Sequence, residues 1–153
     1  MAGLLEQEIA QTKPLSLVNR AAANLHRSSA LLMREVGACL SAKGVSAQQY
    51  NILRILHGAG DNGLRCGEVA SRLVTPDPDT TRLLDRLVAR KWVRRARDQK
   101  DRRVVRVRIS ASGLDLLHVL EPSVEAIQKR QFQHLSDLSL QKLISLLESL
   151  RTR

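Results

Sequence analysis

The sequence predicts a mainly α-helical chain that carries one small β-hairpin, and three observations predict it. Apolar residues recur at helical spacing through both ends of the chain, and the spacing turns to strict alternation between Trp92 and Ile109. Nearly all the net charge lies across that switch. From Arg82 to Arg108 there are twelve Lys or Arg against three acids, a net +9 out of +10 for the whole chain. The other 126 residues are close to neutral.

Taken in order, Pro14 is placed to open a first helix, in which Leu17, Val18, Ala21, Leu25, Leu32, Val36, Cys39 and Leu40 form an apolar stripe until Lys43 and Gly44 stop it. Ser46 caps a second helix, with Gln49 three residues on completing a capping box and Ile52, Leu53, Ile55 and Leu56 facing inward. A glycine-rich turn, Gly58 to Gly63, leads to a short helix from about Cys66 to Leu73. Asp77 then reads as the N-cap of the next helix with Pro78 at its first position, because proline disfavours an α conformation in the residue before it. Leu83, Leu84, Leu87 and Val88 give this helix one buried stripe, and Asp79, Thr80, Arg82, Asp85, Arg86 and Arg90 fall on the other side.

Two strands follow, with Val105, Val107 and Ile109 alternating with arginines in the second and a charged tip between them. Ser110 or Ser112 starts a further helix through Leu114, Leu117, Leu120, Val124 and Ile127, which Pro122 is expected to kink or break. A last amphipathic helix runs from about Ser136 through Leu140, Leu143, Ile144, Leu147 and Leu150.

A short helix, a tight connection, a second helix with a basic outer face and then a basic hairpin make a winged helix-turn-helix, whose second helix enters the major groove of duplex DNA. Asp79, Thr80, Thr81, Arg82 and Arg86 are the expected DNA contacts of that helix. Thr81 can equally start the helix and face the core, and Asp79 can serve as a cap. Arg95, Arg97, Lys100, Arg102 and Arg103 are the expected wing contacts, the tip arginines Arg102 and Arg103 foremost and Arg94, Arg95 and Arg97 nearer to phosphates or to the base of the wing. Asp85, Asp98 and Asp101 are read as carboxylates that orient neighbouring guanidinium groups.

The long terminal helices carry more apolar surface than such a module needs, so a homodimer is expected. Residues 1–44 form its N-terminal dimerisation arm, 45–109 the winged region and 110–153 the C-terminal dimerisation helices, all in one structural domain.

Other functions find little support. The chain has no glycine-rich phosphate loop, nucleophile elbow or Cys-x-x-Cys pair, so it is not expected to be an enzyme, and no cofactor is expected. His26, His57, His118 and His134 are scattered over different helices, without the close spacing that announces a zinc site, and no metal is expected. Only three aromatic residues, Tyr50, Trp92 and Phe132, argue against a single-stranded ligand bound by base stacking. Cys66, near a helix start, is a candidate redox thiol; Cys39 reads as core. No stretch is long and apolar enough for a membrane span, and residues 1–13 lack signal-peptide features, so a cytoplasmic protein is expected.

Val74-Thr75-Pro76, Thr81-Arg82-Leu83-Leu84-Asp85-Arg86-Leu87, Val93-Arg94-Arg95, Asp98-Gln99-Lys100-Asp101-Arg102-Arg103 and Ile109-Ser110-Ala111-Ser112-Gly113 together resemble the MarR family of transcriptional regulators, over essentially the whole chain. The resemblance implies a dimeric protein that binds pseudo-palindromic operator DNA, usually as a repressor released by a small phenolic or lipophilic ligand or by thiol oxidation. Such an effector is expected to bind between the dimerisation helices and the winged region. The competing class is a constitutive architectural DNA-binding or structured-RNA-binding protein with no effector. The resemblance also marks a departure. Many members have glycine where this chain has Lys91, and a non-glycine residue in a left-handed helix cap costs about 1 kcal/mol. Either the helix ends differently here, or the fold absorbs that strain.

Overall fold

The computed structural model describes residues 4–10, 12–98 and 101–152. Among them are α1 (Leu4–Glu8), α2 (Leu17–Ser41), α3 (Ala47–Gly58), α4 (Cys66–Arg72), α5 (Thr80–Ala89), β1 (Val93–Arg97), β2 (Val105–Ile109), α6 (Ala111–Phe132) and α7 (Asp137–Ser149). The architecture is the predicted one, mainly helical with a two-stranded antiparallel wing.

Caps fix most of the boundaries. The Ser46 hydroxyl accepts from the Gln49 N–H at 3.1 Å, and the Gln49 side chain accepts from the Ser46 N–H at 3.0 Å, completing the predicted box at the start of α3. Ser110, the first of the two candidates, caps α6 by accepting from the Gly113 N–H at 3.0 Å. Ser136 caps α7.

The structure corrects the expected starts of two helices. Helix α2 begins at Leu17, not Pro14, because the Ser16 hydroxyl takes the Asn19 N–H at 3.2 Å and so sets the cap two residues past Pro14. Helix α5 begins at Thr80 rather than Pro78: the Asp77 carboxylate accepts from the Asp79 N–H at 2.7 Å in a turn two residues earlier. Of the kink or break expected at Pro122, the break does not occur, and α6 continues to Phe132. Pro122 and His118, whose carbonyl loses its intrahelical donor, both lie on the exposed side, where water can satisfy that carbonyl. The short α1, whose Leu5 is buried, was not anticipated.

One apolar core unites helices α2 to α6 with the wing. Leu40 of α2, Ile52, Leu53 and Leu56 of α3, Val69 of α4, Leu84 and Leu87 of α5, Val107 of β2 and Leu117 and Leu120 of α6 are all buried in it. The wing is anchored through Leu64, which exchanges two backbone hydrogen bonds with Val107, at 3.0 and 2.7 Å. Gly63 makes that approach possible. Its φ is +61°, and a Cβ there would stand 2.5 Å from both the Val107 carbonyl oxygen and Arg108 Cγ.

At the end of α5 the fold absorbs the expected strain. Lys91 has φ +61°, while its N–H bonds to the Val88 carbonyl at 2.9 Å and the Trp92 N–H to the Leu87 carbonyl at 3.0 Å. These are the paired bonds of a Schellman closure, with lysine in the position usually taken by glycine. The Lys91 carbonyl is held in turn by the Ser110 and Ser112 hydroxyls, at 2.6 and 2.7 Å.

Candidate nucleic-acid interface

Helix α5 and the wing share an arginine-rich outer surface, because the buried stripe Leu83, Leu84 and Leu87 turns Thr81, Arg82, Asp85 and Arg86 outward. A direct bond joins the two elements. Asp85 Oδ1 lies 2.7 Å from Arg95 Nη1, so a carboxylate of α5 holds a guanidinium of β1. Arg82 pairs with Asp79 at 3.3 Å across one turn, and a small cleft of about 110 Å³ opens between Asp77, Asp79, Leu83 and the Arg82 and Arg86 side chains.

At the wing, Arg97 pairs with Val105 and Arg94 with Arg108 in the antiparallel register. The tip is braced by its acids. Asp98 Oδ1 accepts from the Asp101 N–H at 3.2 Å, and Asp101 Oδ1 accepts from the backbone N–H and Nε of Arg103 at 3.0 and 3.2 Å. Arg103 is nonetheless 92% exposed, so the pairing directs its guanidinium without hiding it. Asp98 also pairs with Arg106, whose Nη1 reaches the Gly63 carbonyl at 3.4 Å and ties the tip back to the turn before α4. Arg102 is exposed, and Lys100 lies outside the described residues.

Thr80 departs from its expected place. It is only 4% exposed, and its hydroxyl donates to the Asp77 carbonyl at 2.8 Å. A residue so placed holds the start of α5 and presents nothing to a ligand. Thr81 is the outward threonine, with its Oγ1 3.5 Å from Cys66 Sγ. Cys66 and Cys39 are both free and partly buried.

Arg106 was missed in the sequence, because its bond to Asp98 depends on hairpin register, which a seven-residue charged tip leaves unspecified. His57 and His118, far apart in the chain, meet edge to face with ring centres 6.1 Å apart. Among the described residues, no cluster of three or more His, Cys, Asp or Glu is arranged to hold a metal.

A second feature lies between α3 and α6. A cleft of about 220 Å³ is lined by Tyr50, Arg54, Glu121, Val124, Glu125 and Gln128. Arg54 lies over the Tyr50 ring at 5.9 Å and 4.0 Å from Glu121. Burial pushes the Tyr50 hydroxyl above its ordinary pKa; the Arg54 cation opposes that rise and Glu121 adds to it.

The sequence model of the MarR family matches residues 43–104, the stretch from the end of α2 to the wing tip. An uncharacterized HTH-type transcriptional regulator of Bacillus subtilis (strain 168), YpoP, is 34% identical over 109 residues, 71% of this chain and 75% of that protein. The chain belongs to the MarR family. MarR proteins are DNA-binding transcriptional regulators, not enzymes. The crystal structure of a MarR transcription factor from Planctomyces limnophilus is 39% identical, with a TM-score of 0.65 over 89% of this chain and 98% of that one. A mutant MarR from E. coli complexed with operator DNA shares the fold at 22% identity, with a TM-score of 0.74 over 97% of this chain and 99% of that one. None of the described helices is long and apolar enough to cross a membrane.

Proposed function

We propose that the protein is a cytoplasmic, homodimeric repressor that binds a pseudo-palindromic operator through α5 and the wing of each protomer and is released by a small ligand. The observation that carries the reading is the pairing of carboxylates with guanidiniums along the basic face: Asp85 with Arg95, Asp79 with Arg82 and Asp101 with Arg103. Arginines held in set directions suit the reading of a groove better than a diffuse phosphate-binding surface does. Thr81, Arg82 and Arg86, with Asp79 as a possible acceptor for a cytosine amine, face the major groove. Arg95, Arg97, Lys100, Arg102 and Arg103 follow phosphates or the minor groove.

The dimer reading is supported by uncovered apolar surface. Leu17, Val18 and Leu25 of α2 and Leu138, Ile144 and Leu146 of α7 are exposed, and no residue of α7 is buried within its own protomer. Residues 1–44 and 110–153 then supply the dimerisation helices, and 45–109 the winged region. The Tyr50–Arg54 cleft, between α3 of the winged region and α6, has an aromatic face and a cation suited to a phenolic or acidic effector.

Fluorescence anisotropy against the intergenic DNA upstream of the protein's own gene and a scrambled duplex, at two salt concentrations, tests the reading. A preference of about 10³ or more for the native duplex at the higher salt supports it, and Arg103→Ala then weakens operator binding by at least ~1 kcal/mol with the dimer intact. Equal, salt-labile binding to both duplexes favours the constitutive architectural class.

A further inference from the structure

The C-terminal ends of α2 and α5 are tied together by one side chain that the DNA reading does not use. Helix α2 closes with the Val45 N–H on the Leu40 carbonyl at 3.1 Å and the Gly44 N–H on the Ser41 carbonyl at 2.9 Å, with Gly44 at φ +68°. Helix α5 closes with the same pair of bonds around Lys91. Arg90, the last residue before that closure, donates from Nη1 to the Gly44 carbonyl at 2.5 Å, and its guanidinium lies 4.7 Å from the centre of the Trp92 ring. The planar cation is thus held on one side by an indole and at its end by the carbonyl that finishes α2. Both helices present their negative dipole ends to it. The contact lies at the opposite end of α5 from Thr81 and Arg82.

We infer that Arg90 is a positioning residue, a strut that fixes the angle between α5 and α2 and so sets the separation of the two recognition helices in the dimer. The inference rests on the dimeric operator-binding reading. In such a dimer α2 belongs to the fixed frame and α5 to the part that reads DNA, so a bond between their ends governs which half-site spacing fits. One added base pair moves a half-site by about 3.4 Å and turns it by about a tenth of a helical turn, so a rigid strut makes spacing discrimination sharp.

Two variants separate a strut from a phosphate contact. Arg90→Ala removes the cation, whereas Trp92→Leu keeps every charge and removes the stacking face. Affinity is measured on an operator series whose half-site spacing changes by one and two base pairs either way. In parallel, the distance between spin labels at Arg82→Cys of each protomer is measured without DNA, with Cys39 and Cys66 changed to Ser. The strut predicts that the wild type discriminates against a one-base-pair change by about tenfold, that both variants reduce this to about threefold or less, and that both broaden the label-to-label distance distribution. Uniform loss at every spacing in Arg90→Ala, with the salt slope reduced by about one and Trp92→Leu unaffected, would make Arg90 a phosphate contact and overturn the inference. Unchanged spacing profiles and distances in both variants would overturn it as well. If the wild type gives a flat profile and no inter-protomer distance, the dimeric operator reading itself fails, and the strut falls with it.

Discussion

Replacing Lys91 with glycine is expected to stabilise the protein. Lys91 sits at φ +61° at the end of α5, where a side chain costs about 1–2 kcal/mol relative to glycine. Glycine gives back about 0.4–1 kcal/mol of that through the greater freedom of its unfolded chain, leaving a net gain of about 0.5–1 kcal/mol. The conformation cannot relax elsewhere, because the Ser110 and Ser112 hydroxyls hold the Lys91 carbonyl at 2.6 and 2.7 Å. For a chain of this size the gain corresponds to a rise in Tm of about 1–4 °C by scanning calorimetry. Variant and wild type must be compared at equal protein concentration, since the proposed homodimer would raise Tm by mass action. Lys91→Val, which places a β-branched residue at positive φ, should lower Tm instead. An unchanged or lower Tm for Lys91→Gly would refute the argument that the fold carries strain at this cap.

Gly113→Ala should destabilise severely, by about 2–3 kcal/mol or more, because an added Cβ would lie 2.0 Å from the Trp92 carbonyl oxygen, which also accepts from the Ser110 N–H; near-wild-type thermal unfolding would contradict this. The two threonines at the start of α5 should separate cleanly. Thr80→Ala loses a buried hydrogen bond and about 1–2 kcal/mol of stability, read by denaturant titration, whereas Thr81→Ala leaves stability within about 0.5 kcal/mol and weakens operator binding in anisotropy. Tyr50 is the one tyrosine in the chain, so ultraviolet absorbance reports its ionisation alone. Its midpoint should lie above 10.0, since burial favours the neutral phenol. The folded state holds that proton more tightly than the unfolded state, so stability is unaffected below pH about 10 and falls as pH climbs through the folded value.

The sequence was most informative where one residue type admits one role. Ser46 with Gln49, Ser110 ahead of α6, and the alternating valines of β2 each announced an element through local chemistry that the structure realises. The same local reasoning misplaced the starts of α2 and α5, because proline and aspartate can each open a helix and only the neighbouring acceptor decides which residue does. Thr80 and Thr81 are adjacent and chemically alike. Their opposite orientations follow from how α5 rotates against α4 and the core, a tertiary property. Register hid the bond between Arg106 and Asp98, and long-range packing hid both the Arg90 contact to Gly44 and the approach of His57 to His118. The basic face itself was legible because charge segregation survives any error in helix boundaries.

The most direct test of operator recognition is selection of bound duplexes from a random-sequence library by the purified protein, followed by anisotropy titration of the enriched sequence and a scrambled version at two salt concentrations. Recognition through α5 and the wing predicts enrichment of two inverted half-sites about one helical turn apart, bound about 10³-fold or more tightly than the scramble at the higher salt. A pool that stays random, with binding to every duplex lost equally as salt rises, would contradict the account.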